Sequence, residues 1–171
     1  MRYVTYIVLL ILVVIFFSPL NFFNTNSEII NYLIRTFYHA NLQHLLANSF
    51  SFYMLSFLED VMGHAKFAFC IIFIWILSSM LLLAEHTAFP SRKVYTVGFS
   101  GVIFGLIVVY LMSLGKNRGL SIAGLVLSII PQFFVSGISY EGHICGMIAG
   151  FVYVVLFPLP KGSVDNQVAM F

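Results

Sequence analysis

Charged residues are scarce in this chain. Only 8% of its 171 residues are Asp, Glu, Lys or Arg, whereas 61% are hydrophobic. A soluble domain carries about 25% charged and about 45–50% apolar residues. A chain of this size also leaves about a third of its unfolded surface exposed after folding. One core cannot bury this apolar excess, so the composition predicts a membrane protein.

Cysteine and net charge are low as well. Two cysteines and a formal charge of +2 exclude a disulfide-rich secreted domain and a nucleic-acid-binding protein, and the apolar content excludes a disordered chain. Cys70 and Cys145 lie inside apolar runs, where a thiol usually behaves as a small hydrophobe. A disulfide between them is the less favoured alternative.

Six apolar segments approach the length of about 20 residues that a membrane helix needs. They cover about residues 3–20, 42–58, 67–84, 98–114, 120–135 and 142–157, and a tail over residues 161–171 follows. We therefore predict a single all-α membrane domain over residues 1–171, a bundle of six transmembrane helices. Because Arg2 precedes the first segment, a signal peptide is an alternative, but Pro19 to Phe23 lacks the small-residue cleavage pattern.

The basic residues predict the orientation, because they favour the cytoplasmic side of short loops. With the N-terminus inside, the cytoplasmic side would carry Arg2, Lys66, Lys116, Arg118 and Lys161. The outer side would carry Arg35, Arg92 and Lys93. We expect both termini to be cytoplasmic in this multi-pass protein.

Polar residues inside these segments are candidates for function, because they are costly in a bilayer. His44 and Asn48 lie near the start of the second segment, Ser100 near the start of the fourth and His143 near the start of the sixth. In the predicted topology all three segments enter from the outer face. The polar residues would then share one depth, a few Å to about 10 Å below that face.

Each of these residues also has a purely structural interpretation. His44 and Asn48, four apart on one helix face, could form an interhelical hydrogen bond. Ser100 could be a small packing residue, and His143 a core histidine. If the glycine-rich faces of their helices pack together, however, Ser100 and His143 come within reach as nucleophile and base. Cys145 points about 200° away from His143 on the same helix and is a poorer nucleophile candidate.

A metal site is a further alternative, because several histidines are expected on or near the outer side. These are His39, His44, His86 and His143. No H-E-x-x-H motif is present, and no carboxylate is expected deep in a span. We predict neither a metal nor a cofactor.

Three motifs carry a resemblance to a known family. They are His39-x4-His44-x3-Asn48, Gly98-Phe99-Ser100-Gly101 and Gly142-His143-x2-Gly146-x3-Gly150. In this order and at these helix positions the sequence resembles the rhomboid intramembrane serine proteases of the compact six-helix type. The resemblance extends over about residues 34–157.

The resemblance implies a role for each motif residue. Ser100 would be the nucleophile and His143 the general base, without an acidic third member. The oxyanion would be held by the Ser100 N–H and the side chains of His44 and Asn48. Supporting positions are Gly98, Gly101, Phe104, His39, Gly142 and Gly146, with His39 bracing the first loop; Glu59 and Gly63 also fit the family pattern.

The sequence departs from the family pattern in two places. Phe104 stands where many rhomboids have a tyrosine that packs on the catalytic histidine, and Ile30-Asn31-Tyr32 replaces a common Trp-Arg pair. The Phe104 ring can still pack on the histidine, but it lacks the hydroxyl group of tyrosine. The altered loop could change substrate access.

The implied activity is hydrolysis of peptide bonds in or near transmembrane segments of membrane proteins. The expected partners are transmembrane substrates and the lipid bilayer, with no nucleic acid and no metal. We expect a prokaryotic cytoplasmic membrane. The alternative from another functional class is an inactive rhomboid-like protein that binds transmembrane helices without cleaving them.

Overall fold

The computed structural model describes residues 1–18, 25–93, 96–114 and 140–160, together with residues 119, 123, 163 and 164. Within these residues the helices are α1 (Tyr3–Phe17), α2 (Glu28–Ile34), α3 (Leu42–Met54), α4 (Phe57–Met62), α5 (His64–Ala88), α6 (Ser100–Ser113) and α7 (Tyr140–Leu156). Short 3-10 turns follow α2 at Arg35–Phe37 and α5 at Pro90–Arg92. The predicted all-α class is confirmed for the described part of the chain. The helix predicted over 120–135 lies outside it except for residue 123, and so does the tail over 161–171 except for residues 163 and 164.

The second predicted helix, over 42–58, is two helices in the structure. The N–H of Leu55 donates to the carbonyls of Ser51 and Phe52, and the N–H of Ser56 donates to the carbonyl of Tyr53 at 3.0 Å. These shorter-range bonds tighten the chain after α3, because a 3-10 turn closes over one residue fewer than an α-helix. The polar pair after residue 58 does not end the helical region, since Glu59 lies within α4 and is 1% exposed.

The third predicted helix, over 67–84, is longer in the structure, where α5 covers His64–Ala88. It begins after Gly63, whose φ of 78° is a left-handed conformation that favours glycine, and it ends at Phe89, before Pro90. Hydropathy alone misplaces both ends because polar residues such as Glu85 continue the helix. Backbone chemistry, not polarity, sets these limits.

Only α5, among the described residues, is long and apolar enough to cross a membrane by length and composition. Three shorter apolar helices accompany it, namely α1, α6 and α7. Large apolar side chains remain exposed on the outside of the bundle, such as Leu10, Phe50 and Phe151. An exposed apolar surface of this kind suits a lipid environment better than water.

Helix α6 packs against several other helices in the middle of the bundle. Its buried residues Val102, Leu106 and Val109 pack in one core with Phe52 and Phe67 from neighbouring helices. Its most extensive contact is with α7, which also packs against α5. Helix α6 is therefore a central element, and residues at its N-terminus are held from several sides.

A buried carboxylate fixes α1 to the opposite end of the bundle. Glu59 accepts hydrogen bonds from the N–H groups of Val4 and Thr5, both at 2.9 Å, and from the Thr5 hydroxyl at 2.7 Å. His64 Nδ1 lies 2.6 Å from the same carboxylate. Burial opposes the charge of Glu59, but these hydrogen bonds outweigh it and lower its pKa below the ordinary value.

Candidate active site

The first residue of α6 is Ser100, and a glycine turn leads into it. Gly98 has a φ of 125°, which is strained for any residue with a side chain, and Phe99 caps the helix. The first helical hydrogen bond runs from the Ile103 N–H to the Phe99 carbonyl. The N–H groups at the start of a helix have no acceptor within it, so those of Ser100 and its neighbours point toward the site.

His143 lies in the first turns of α7 and faces Ser100. Its Nε2 atom is 2.8 Å from Ser100 Oγ, and its side chain is largely buried. For the hydroxyl to donate to Nε2, the ring proton must reside on Nδ1. The pair therefore has hydrogen-bond geometry suited to transferring the serine proton to the histidine.

Glycines explain why the two helices come close enough for this contact. A Cβ atom added to Gly146 would collide with the carbonyl oxygen of Gly101, and one added to Gly150 would collide with that of Gly105. A Cβ on Gly101 would lie 3.1 Å from the carbonyl oxygen of Gly142. Gly101 faces Gly146, and four residues further along both helices Gly105 faces Gly150. Helices α6 and α7 therefore run parallel with their backbones in contact, and Ser100 and His143 lie at the same end.

Phe104 lies one turn after Ser100 and contacts the histidine. Its ring is stacked on that of His143, with centroids 4.3 Å apart and planes 25° from parallel. The contact limits the rotation of the imidazole.

His44 and Asn48 from α3 lie beside Gly98. A Cβ atom on Gly98 would be 2.7 Å from the His44 ring and 3.8 Å from Asn48 Nδ2. Asn41 caps α3 by accepting the His44 N–H at 2.8 Å, which fixes the start of the helix on which both residues stand. Asn48 Nδ2 donates to the His44 carbonyl at 2.9 Å, leaving its second amide hydrogen for another acceptor.

His39 precedes α3 and is buried. Its ring meets the His44 ring edge to face, with centroids 5.1 Å apart. Burial, reinforced by nearby His44, lowers the pKa of His39 to about 4. The residue is thus neutral at pH 7 and supports His44 by packing.

The structure adds residues that the sequence analysis did not select. Arg35, which the predicted topology places on the outer side, is 6% exposed and lies against the Tyr32 ring. The Tyr32 hydroxyl is 2.7 Å from Nδ1 of His86, which is also buried. The sequence feature that could have indicated the burial of Arg35 is its position between the apolar pairs Leu33-Ile34 and Phe37-Tyr38. Within the described residues no cluster of three His, Cys, Asp or Glu side chains could hold a metal ion.

Comparisons with known proteins give a consistent result. A family model described as a Rhomboid domain matches residues 26–159. An uncharacterized protein of Mycobacterium leprae is 31% identical over 135 residues, covering 72% of this chain and 54% of that protein. The mitochondrial rhomboid-like protein 14 of Arabidopsis thaliana is 29% identical over 172 residues, covering 90% of this chain and 49% of that protein.

YdcA of Bacillus subtilis, whose name makes it a candidate rhomboid protease, is 32% identical over 123 residues. That match covers 67% of this chain and 60% of the Bacillus protein. The chain spans about half the length of the curated relatives it matches.

Proposed function

The chain belongs to the rhomboid family of integral membrane proteins, and from this premise we propose that it is an intramembrane serine endopeptidase. Members of the family are generally serine proteases, although some are inactive. In our proposal Ser100 and His143 form the catalytic dyad. His44 and Asn48 stabilise the oxyanion together with the Ser100 N–H.

The observation that supports this function is the 2.8 Å separation between His143 Nε2 and Ser100 Oγ. A serine hydroxyl is a weak nucleophile until a base within hydrogen-bond distance accepts its proton. The parallel glycine contact of α6 and α7 holds the two groups at this distance. An inactive helix-binding protein has no need for such an arrangement.

The reaction begins when Ser100 Oγ attacks the carbonyl carbon of the scissile bond while its proton passes to His143 Nε2. The tetrahedral intermediate collapses to an acyl-enzyme, and the protonated His143 gives the proton to the departing amine. Water then attacks the ester, again with His143 as the base, and releases the acid product and Ser100. As the ester bond breaks, His143 gives the proton taken from water to Ser100 Oγ, so the dyad returns to its initial state.

The developing oxyanion would lie at the N-terminus of α6. The Ser100 N–H there is a helix-terminal donor, and the positive end of the helix dipole favours the negative charge. His44 and the second amide hydrogen of Asn48 would complete the group of donors beside Gly98. Removal of one donor of this kind typically costs about 10²–10³-fold in kcat.

The substrates we propose are transmembrane segments of other membrane proteins. We place both termini in the cytoplasm and the dyad near the outer face, in a prokaryotic cytoplasmic membrane. The supports are the distribution of basic residues and the bacterial relatives.

The test is cleavage of a transmembrane reporter by membranes that contain wild type, Ser100→Ala or Ser113→Ala at equal expression. Ser113 is a matched control on the same helix, because its hydroxyl is buried and donates to the Val109 carbonyl at 2.6 Å. We expect cleavage by wild type and Ser113→Ala and none by Ser100→Ala. A fluorophosphonate probe should label the first two proteins and not the third.

Two outcomes contradict the proposal. Equal cleavage by Ser100→Ala would show that Ser100 is not the nucleophile. Absence of both cleavage and probe labelling in the wild type would favour the inactive helix-binding protein.

A further inference from the structure

The end of α2 and the 3-10 turn after it connect α5 to the glycine turn of the candidate active site. The indole N–H of Trp75, near the middle of α5, donates to the Leu33 carbonyl at 2.8 Å. Two residues further along the chain, the Arg35 carbonyl accepts the Gly98 N–H at 3.2 Å. Residues 33–37, which we call the linking segment, are therefore hydrogen-bonded both to α5 and to the turn that leads into α6.

Aromatic rings make the same connection. The Phe37 ring meets the Trp75 ring edge to face, with centroids 5.0 Å apart, and its centroid lies 6.0 Å from that of Phe99. Phe99 is fully buried, and its ring also packs against Phe52 of α3, with centroids 5.2 Å apart. Because protein interiors are close-packed, Phe99 cannot move far without displacing these rings.

The position of the Ser100 N–H follows from this turn. Phe99 caps α6, and Gly98 before it has a φ of 125°, so the backbone of these two residues directs the first N–H groups of the helix. A donor to an oxyanion must lie about 2.7–3.1 Å from the developing charge. A displacement of about 1 Å in such a group costs about 10²-fold in rate. A residue that holds the turn in place therefore contributes to the rate without contacting the substrate.

We infer that Trp75 is a positioning residue for Ser100, which acts by holding the linking segment against the turn formed by Gly98 and Phe99. The inference rests on the proposed protease function. Trp75 acts on the Ser100 N–H through the linking segment, so its loss should lower kcat and leave KM nearly unchanged.

The first experiment measures kcat and KM for reporter cleavage by Trp75→Phe. The phenylalanine retains an aromatic ring beside Phe37 but has no N–H group for the Leu33 carbonyl. We expect kcat to fall by at least about tenfold and KM to stay within about threefold of the wild-type value. An unchanged kcat, or a loss confined to KM, would overturn the inference and leave the protease function intact.

Phe73→Leu is the matched control for a general loss of packing. Phe73 lies two residues before Trp75 on α5 and is also partly buried, but its ring packs against Tyr153 and Phe157. Both variants lose contacts within the bundle, so the midpoint of thermal unfolding should fall in each. We expect kcat to fall only in Trp75→Phe, and an equal fall in Phe73→Leu would overturn the positioning role.

Trp75 is the only tryptophan in the chain, which allows a second measurement on the wild type. A small dialkyl fluorophosphonate bound to Ser100 would place its phosphoryl oxygen where the oxyanion forms. Because the coupling between two sites is reciprocal, occupation of the oxyanion site should in turn hold the linking segment and Trp75 more firmly. We therefore expect acrylamide to quench the Trp75 fluorescence less after labelling, and to quench it equally before and after the same treatment of Ser100→Ala.

This measurement does not require any variant of Trp75 to fold. Labelled wild type with unchanged quenching would overturn the inference and leave the protease function intact. A wild type that neither cleaves the reporter nor reacts with the fluorophosphonate would overturn both proposals.

Discussion

At the scale of single residues, the candidate dyad depends on orientation as much as on proximity. His143 has one ring nitrogen toward Ser100 and one ring face toward Phe104. No acidic residue is proposed to fix the imidazole, so the stacking contact takes a larger share of that task. In the proposed reaction Phe104 is accordingly a positioning residue, which would act through His143.

We predict that Phe104→Leu lowers kcat by about 2- to 10-fold and leaves KM nearly unchanged. This range corresponds to the stacking energy of about 0.5–1.5 kcal/mol that an aromatic pair contributes beyond its buried area. Phe104→Tyr retains the ring and should keep the wild-type kcat, which separates stacking from general loss of stability. The measurement is steady-state cleavage of the reporter; a change in KM alone would contradict the positioning role.

The polar residues at the site could be predicted from the sequence because each interrupts an apolar segment near its start. Each of them can therefore be identified from its own segment, without knowledge of contacts between segments. Arg35 was not predictable in this way, because its burial depends on Tyr32 and on His86, which is 51 residues away along the chain. Charge counting treats every arginine in a loop as exposed and misses such a case.

At the scale of helices, the contact between α6 and α7 determines whether Ser100 meets His143. Four-residue glycine spacing on both helices indicated a close approach, and the structure has the glycines of one helix against backbone carbonyls of the other. The break after α3 left no comparable signal, because Leu55 and Ser56 are ordinary helix residues. Its geometry follows from tertiary packing of α4, which no local pattern encodes.

We predict that Gly146→Ala reduces kcat/KM by at least about 10²-fold, because the new methyl group would collide with the Gly101 carbonyl oxygen. A displacement of about 1 Å at the reacting groups is enough for a loss of this size. Gly119→Ala is the matched control, since a Cβ there meets no atom within 4 Å. Reporter cleavage and fluorophosphonate labelling should decline together, and wild-type labelling of Gly146→Ala would refute the packing argument.

At the scale of the whole molecule, the site and the Glu59 network occupy opposite ends of the bundle. Helix α1 joins the network through the N–H groups of Val4 and Thr5, and α5 joins it through His64. Composition and hydropathy predicted an all-helical membrane protein, but they could not reveal that Glu59 is a buried acceptor. That role requires donors from a helix more than 50 residues earlier in the chain.

The Glu59 network leads to a prediction about stability and pH. Glu59→Gln should lower the free energy of unfolding in detergent by at least about 2 kcal/mol at pH 7, because it weakens several buried hydrogen bonds to a charged acceptor. Asp60→Asn is the matched control: Asp60 pairs with Arg2 at 2.7 Å on the surface, so its loss should cost less than about 1 kcal/mol.

Folding lowers the pKa of Glu59 below its ordinary 4.5, so the contribution of the Glu59 charge to stability is complete above that value and is lost as the pH falls through the folded-state pKa. Denaturant unfolding at several pH values should therefore show the gap between wild type and Glu59→Gln narrowing as the pH falls below 4.5. A gap that stays constant over this range would mean that the carboxylate charge does not hold α1 in place.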